Sequence, residues 1–203
     1  ATATATVLVA AAQSAPTLTS ISPSSGAPGP TVVATFTGTG FEPGATINVS
    51  GSGVTATIAS FVSSTSMNVA FSIDNSASLS ARTVTVTTSA GTSNSQSFTV
   101  IAPIPAIGVV TPSSGTRGAT TSVTLTGSNF VSGATTVTVG GSGVTVSNVN
   151  VSSANSLTAD FVIAGSAAVG ARDVTVTTAG GTSSPQTFTI NQPSGTQTFS
   201  YTG

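Results

Sequence analysis

Two β-sandwiches in tandem, with extra strands at both ends, make up the all-β fold that this sequence predicts. Three observations lead there. The chain repeats itself once, its repeats alternate β-branched with polar residues, and no segment carries a helical apolar period with caps.

The repeat comes first. Pro23-Ser24-Ser25-Gly26 returns 89 residues later as Pro112-Ser113-Ser114-Gly115, and Gly38-Thr39-Gly40-Phe41 returns at the same offset as Gly127-Ser128-Asn129-Phe130. Gly44-Ala45-Thr46 matches Gly133-Ala134-Thr135, after which one inserted residue raises the offset to 90. Gly51 to Thr55 then matches Gly141 to Thr145, Ala81-Arg82 matches Ala171-Arg172, and Phe98-Thr99-Val100 matches Phe188-Thr189-Ile190. The chain is a duplication. It divides into an N-terminal segment 1–15, sandwiches at 16–101 and 106–191, a connector 102–105 and a tail 192–203.

The strands follow from the local pattern. Val84 and Val86 alternate with Thr83, Thr85 and Thr87, and Val123 and Leu125 alternate with Thr124 and Thr126. The period of two puts the aliphatic residues on one face and the hydroxyls on the other. Gly, Pro and Ser clusters break the chain at sandwich spacing. Six phenylalanines form three equivalent pairs (Phe41/Phe130, Phe71/Phe161, Phe98/Phe188), with Phe36 aligned to Leu125 and Phe61 to Val151. They predict a core built twice. Pro-Ser-Ser-Gly reads as a turn ending the first strand, with its glycine at positive φ, and Gly-x-Asn-Phe as a turn followed by a buried aromatic plug. Ala102-Pro103-Ile104-Pro105 predicts a stiff, extended connector that sets the sandwiches end to end as a rod.

The run Ile107-Gly108-Val109-Val110-Thr111-Pro112-Ser113-Ser114-Gly115, then Gly118-Ala119-Thr120, then Val123 to Phe130 resembles the opening of an IPT/TIG domain. The first repeat follows with Ile21, Pro23, Gly26 and Phe41, and departs from the pattern at Gly29-Pro30-Thr31 and at Gly40. The resemblance implies immunoglobulin-like sandwiches over both repeats. It implies little about function, because similar domains serve surface proteins, receptors, carbohydrate-active enzymes and transcription factors.

Composition narrows the chemistry. Only 3% of residues are charged, against roughly a quarter in an average protein. There are three arginines (Arg82, Arg117, Arg172), four acids (Glu42, Asp74, Asp160, Asp173), and no Lys, His, Cys or Trp. The surface is therefore mostly Ser, Thr, Gly and Asn, and copies approach one another with almost no electrostatic penalty. Ser-His-Asp, Ser-Lys, Schiff-base and thiol mechanisms lack their residues, as do zinc sites with His or Cys ligands and Lys–Asn cross-links. The acids form no equivalent pair across the repeat for two-carboxylate hydrolysis. No calcium loop pattern occurs, Asp74-Asn75 being the densest candidate, so no cofactor is expected. Three scattered arginines do not neutralise several phosphates, which excludes nucleic acid as a partner, and no apolar run is long enough for membrane insertion as a helix. Arg82 and Arg172 are equivalent and expected to cap carbonyls or pair with a local acid. Asn48-Val49-Ser50 and Asn150-Val151-Ser152 fit the glycosylation acceptor pattern, with unmodified surface Asn as the plainer reading.

The N-terminal segment alternates strictly at its start. Ala1, Ala3, Ala5, Val7 and Val9 share one face, and Thr2, Thr4 and Thr6 the other. Its end is similar to the small-residue region before a signal-peptidase site, so a secreted, processed chain is expected. A lone strand does not repay about 1–2 kcal/mol of ordering per residue. It needs a sheet, either in its own sandwich or in a neighbouring copy. Addition to a neighbour would anchor Val7, Leu8 and Val9, and Phe199 and Tyr201 mark a possible second such strand. The expected function is an extracellular structural subunit that self-assembles into a filament or surface layer by N-terminal strand addition. Its partners would be copies of itself, with glycans as a further candidate. The alternative is a cell-surface adhesin, stalk or carbohydrate-binding module.

Overall fold

A computed structural model describes residues 13–195, and all regular structure among them is β-strand. The chain divides after Ala102 into two units, each folded around its own core. In the first unit the strands are β1 (Thr17–Ser22), β2 (Ser25–Gly26), β3 (Val32–Thr39), β4 (Thr46–Val49), β5 (Val54–Ser63), β6 (Ser66–Ile73), β7 (Ala81–Thr88), β8 (Gly91–Thr92) and β9 (Gln96–Val100). They form one sheet in the order β1-β3-β6-β5 and a second in the order β2-β9-β7-β4, with β8 against β7. In the second unit they are β10 (Ala106–Thr111), β11 (Ser114–Thr116), β12 (Thr120–Ser128), β13 (Thr136–Val139), β14 (Val144–Ser153), β15 (Ser156–Ile163), β16 (Gly170–Thr178), β17 (Gly181–Thr182) and β18 (Gln186–Asn191). The sheets repeat the same order, β10-β12-β15-β14 and β11-β18-β16-β13, with β17 against β16. Each unit is an immunoglobulin-like sandwich.

The Pro-Ser-Ser-Gly motif does more than end a strand. β1 pairs antiparallel with β3, whereas β2 pairs parallel with β9, so the motif carries the chain from one sheet to the other. The peptide before the proline is cis in both units, at Ser22-Pro23 and Thr111-Pro112. The expected positive φ at the glycine is not found. Gly26 is instead required for space, because a Cβ there would sit 2.7 Å from Val32 Cγ2 and 3.1 Å from the Phe98 ring. Gly115 is hemmed in the same way by Ile163 and Phe188.

The aromatic plug is found as expected. Phe41 and Phe130 are buried, and their rings lie 2.6 and 2.7 Å from where a Cβ on Gly38 or Gly127 would be. The same Cβ would overlap the carbonyl oxygen of Thr17 or Ala106. Two residues on, Gly40 and Asn129 both take left-handed backbone, at φ 67° and 61°. The repeat therefore departs in residue but not in conformation, since Gly and Asn are the residues that visit this region most readily. Asn129 adds a bond from Nδ2 to the Ile104 carbonyl at 2.9 Å.

Strand register relocates the inserted residue. Thr46 pairs with Thr87 just as Thr136 pairs with Thr177, so Thr136, not Thr135, is the counterpart of Thr46. The extra residue, Thr135, closes the preceding loop by bonding both the N–H and the C=O of Val131.

The alternating residues face as predicted, with Val84, Val86, Val123 and Leu125 all buried. Phe71 stacks on Phe98 with centroids 4.0 Å apart and Phe36 leans on Phe71 at 6.0 Å, whereas Phe161 and Phe188 meet edge to face at 5.0 Å. Burying each such ring contributes about 1.5–3 kcal/mol. Phe61 is an exception to the expected core. It lies on edge strand β5, opposite Met67, and stays 38% exposed because no further strand covers it among the described residues. Outside the core, hydroxyl and amide ladders occupy positions that charges fill elsewhere. Thr35 Oγ1 donates to Asn68 Oδ1 and Asn68 Nδ2 donates to Ser60 Oγ, a polar row spanning β3, β6 and β5.

Candidate functional site: sheet edges and the seam between β4 and β5

The titratable groups do not converge. Glu42 accepts bonds from Gln13 Nε2 and from Ser89 Oγ, the latter at 3.0 Å. Asp74 closes a turn through its main chain, its N–H on the Gly53 carbonyl and its C=O receiving the Ala77 N–H. Asp160 lies on the outer face of β15, bonded by Ser122 Oγ and by Asn148 Nδ2 at 2.8 Å, and these donors, Asn148 first, hold its carboxyl below the usual carboxylate range. Among the described residues no group of three or more acids comes close enough to hold a metal ion.

The equivalent arginines are built into the sandwich ends. Arg82 is buried, and its Nη2 donates to the carbonyls of Ser52 and Ser78 at 3.2 and 3.1 Å. Arg172 Nη2 donates to Ala168 O at 2.8 Å. Each guanidinium packs directly over Gly51 or Gly141, where a Cβ would collide with it. In both units the Gly-Ser-Gly loop thus seats an arginine bonded to the β6–β7 or β15–β16 connection, and in the first unit the same guanidinium also bonds the loop at Ser52 O. Carbonyl capping, one of the two roles expected from sequence, is the one found.

What remains open is main chain at the sheet edges. β5 and β14 are edge strands of ten residues each, whereas β4 and β13 have four, β2 two and β11 three. Neither long edge carries a charge or a proline. Natural edges are usually blunted by charge, proline, covering or bulges, and among the described residues only bulges serve, at Ile58/Ser60 and Phe61/Ser63 in β5 and at Ser147/Asn150 and Val151/Ser153 in β14.

Beside β5 the first sandwich is also open between its sheets. A groove of about 330 Å³ is lined by Ile47, Asn48 and Val49 of β4 and by Val54, Thr55 and Ala56 of β5. Ile47, Val49, Ala56 and Ile58 pack against the core and are only half-buried. In the second sandwich the counterparts of Ile47 and Val49 are Val137 and Val139, which are buried, and Asn148 stands where Ile58 does. A second hollow, of about 230 Å³, lies at the Arg172 seat against Gly140, Gly141 and Asp173.

The residues singled out from sequence are not brought together. Asn48 is exposed on β4 and bonds Thr87 Oγ1 at 3.0 Å. Asn150 is exposed on β14, and register makes Ser60, not Asn48, its counterpart. Thr2, Thr4, Thr6, Val7, Leu8 and Val9 lie outside the described residues, as do Phe199 and Tyr201. Sequence reasoning missed two polar clamps. Ser93 and Ser183 are buried and accept the N–H of Val86 and Val176, and Gln96 and Gln186 pin the bulged first strand through the carbonyls of Leu18 and Ile107. Their recurrence at the common offset of 90 is the signal that would have found them.

No curated protein sequence matches the chain. Among solved structures it is similar to the Escherichia coli adhesin FdeC, at 22% identity, over 89% of this chain and 64% of that one, with a TM-score of 0.33. It is similar to the Yersinia pseudotuberculosis adhesin InvE at 12% identity, over 87% of this chain and 58% of that one, with a TM-score of 0.39. A third likeness, to the Bacteroides ovatus protein SGBP-B in complex with a mixed-linkage heptasaccharide, has 18% identity over 82% of this chain and 43% of that one, with a TM-score of 0.32. The chain thus spans less than two thirds of each, and likenesses this distant carry no functional argument. The family assignment is of another kind, for the IPT/TIG domain model matches residues 16–100 and again residues 105–190. The chain belongs to the IPT/TIG family and carries two of its domains in tandem.

Proposed function

We propose that this chain is an extracellular structural subunit, a filament or surface-layer module, whose N-terminal segment adds as a β-strand to a sheet of a neighbouring copy. The observation that carries the reading is the pair of long, uncharged, proline-free edge strands, β5 and β14, on sandwiches whose own charges are almost nil. An edge of this kind is a template for another strand, and each main-chain hydrogen bond gained contributes about 0.5–1.5 kcal/mol net. The alternating segment at residues 1–9 is a matching donor with apolar Val7, Leu8 and Val9 at its end. Chained head to tail, such a contact does not close and produces a filament.

An adhesive module that binds glycans is the second reading, favoured by the open hollows at the edge of the first sandwich and the end of the second. Against it stands the scarcity of rings on which a sugar stacks, Phe61 being the exposed aromatic among the described residues. Electron microscopy of the full chain beside a version lacking residues 1–15 separates the two. Filaments that vanish on truncation support strand addition, filaments that survive it reject that mechanism, and monomers in both leave the adhesive reading to a glycan-binding screen.

A further inference from the structure

The sheet edges differ in what lies beside them, and that difference selects an acceptor. We infer that the N-terminal segment of one copy docks along Val54–Ile58 of β5 in the first sandwich of the next. There it covers the seam formed by Ile47, Val49, Ala56 and Ile58. The inference rests on the strand-addition reading and adds the surface that receives the strand.

Several features of the seam support the assignment. Over Val54–Ile58, β5 keeps unbroken register with β6, and its bulges begin only after Ile58. Five consecutive residues thus present regular main chain at an edge with no partner among the described residues. The neighbouring groove of about 330 Å³ is lined by Asn48 and Thr55 together with Ile47, Val49 and Ala56, apolar residues that their own sandwich leaves half-covered. The second sandwich is a poorer acceptor on the same grounds. Val144 and Val146 of β14 stay half-covered, but Val137 and Val139 are already buried, and polar Asn148, bonded to Asp160 from left-handed backbone at φ 52°, interrupts the apolar line.

The proposed occupant fits in length, pattern and charge. Residues 1–12 precede the described part, and their first nine put Ala and Val on one face and Thr and Leu on the other. A strand laid on the β5 edge alternates its side chains between the seam and the solvent-facing side. Val7 and Val9 then meet Ala56 and Ile58 while Thr6 lies beside Thr55 and Thr57, which are exposed. Neither surface carries a charged side chain, so no side-chain charge is desolvated unpaired when they join.

The chain has no cysteine, so introduced thiols have no competitors. The test uses the full chain with Thr6→Cys combined with Thr55→Cys or with Thr57→Cys, oxidised under assembly conditions and read on a non-reducing gel. The matched control combines Thr6→Cys with Thr145→Cys, the counterpart of Thr55 on β14. A ladder of disulfide-linked multimers from a first-sandwich pair and its loss in the control is the expected result. A ladder from the control alone moves the acceptor to β14 and overturns the assignment while leaving strand addition standing. A cross-linked band at monomer size places the strand in its own molecule and overturns it, as do filaments with no cross-link in any pair. Absence of both filaments and cross-links rejects the strand-addition reading itself along with the assignment.

Discussion

The two sandwiches keep one interior and differ at their margins. Phe41, Phe71 and Phe98 have their counterparts in Phe130, Phe161 and Phe188, all buried, and both sheet switches use the same proline and crowded glycine. The margins diverge. On the outer face, Val33 and Ala70 of the first unit become Ser122 and Asp160 in the second, where Asn148 bonds Asp160, whereas Ile58 at the matching offset packs against the core. At the open side, half-buried Ile47 and Val49 become buried Val137 and Val139. Interior positions are constrained by close packing, where a single methylene is felt, whereas a margin is free to become polar or to be left open for a partner. What the comparison teaches is that the first copy leaves β4 half-covered beside an apolar β5, whereas the second has covered the β4 counterparts and set polar Asn148 beside half-buried Val144 and Val146.

The largest expected effect tests what the copies share. Gly38→Ala and Gly127→Ala each force a Cβ onto a main-chain carbonyl oxygen and an aromatic ring. Each is expected to cost more than about 4 kcal/mol and to unfold its own sandwich. Chemical denaturation with separate transitions for the two units checks this, and a tolerated substitution in either copy breaks the equivalence. A smaller difference is expected for Phe98→Ala against Phe188→Ala. Both lose about 3–5 kcal/mol as buried-ring truncations. Each also loses an aromatic pair worth about 0.5–1.5 kcal/mol, Phe98 on Phe71 and Phe188 on Phe161, and Phe98 loses the more because Phe36 in turn supports Phe71. Equal losses in the same denaturation experiment would show that the three-ring arrangement adds nothing.

How much of this was legible in the sequence depended on whether the signal was periodic. The duplication, the alternating strands and the aromatic plugs were readable because period and offset report burial directly. Gly26 was misread because sequence shows a glycine near a proline but not the Val32 methyl and Phe98 ring that crowd it. Thr46 was aligned to Thr135 on identity, and only pairing with Thr87 and Thr177 revealed Thr136 as its counterpart. Phe61 was placed in the core because an apolar residue on a strand reads the same at an edge as at the centre. The seam escaped notice for the same reason, since Ile47 and Val137 differ in what covers them more than in their own chemistry.

The smallest expected effect is electrostatic and confined to the second sandwich. Bonds from Asn148 and Ser122 favour the ionised form of Asp160, so its carboxyl titrates lower in the folded protein than its unperturbed value of 3.8. The folded state then binds fewer protons than the unfolded one just below that value. This contribution is therefore present at higher pH and disappears as pH falls through the lowered pKa. The denaturation midpoint of the second unit should decline in acid and that decline should lessen in Asp160→Asn. The first unit, with Ala70 at this place, should not share it.

Amide hydrogen exchange measured below and above the concentration at which the protein assembles tests the acceptor margin most directly. The account predicts that amides along Val54–Ile58 slow markedly on assembly while those along Val144–Ser147 of β14 keep their rates. Slowing confined to β14, or no concentration dependence at either edge in samples that contain filaments, would contradict it.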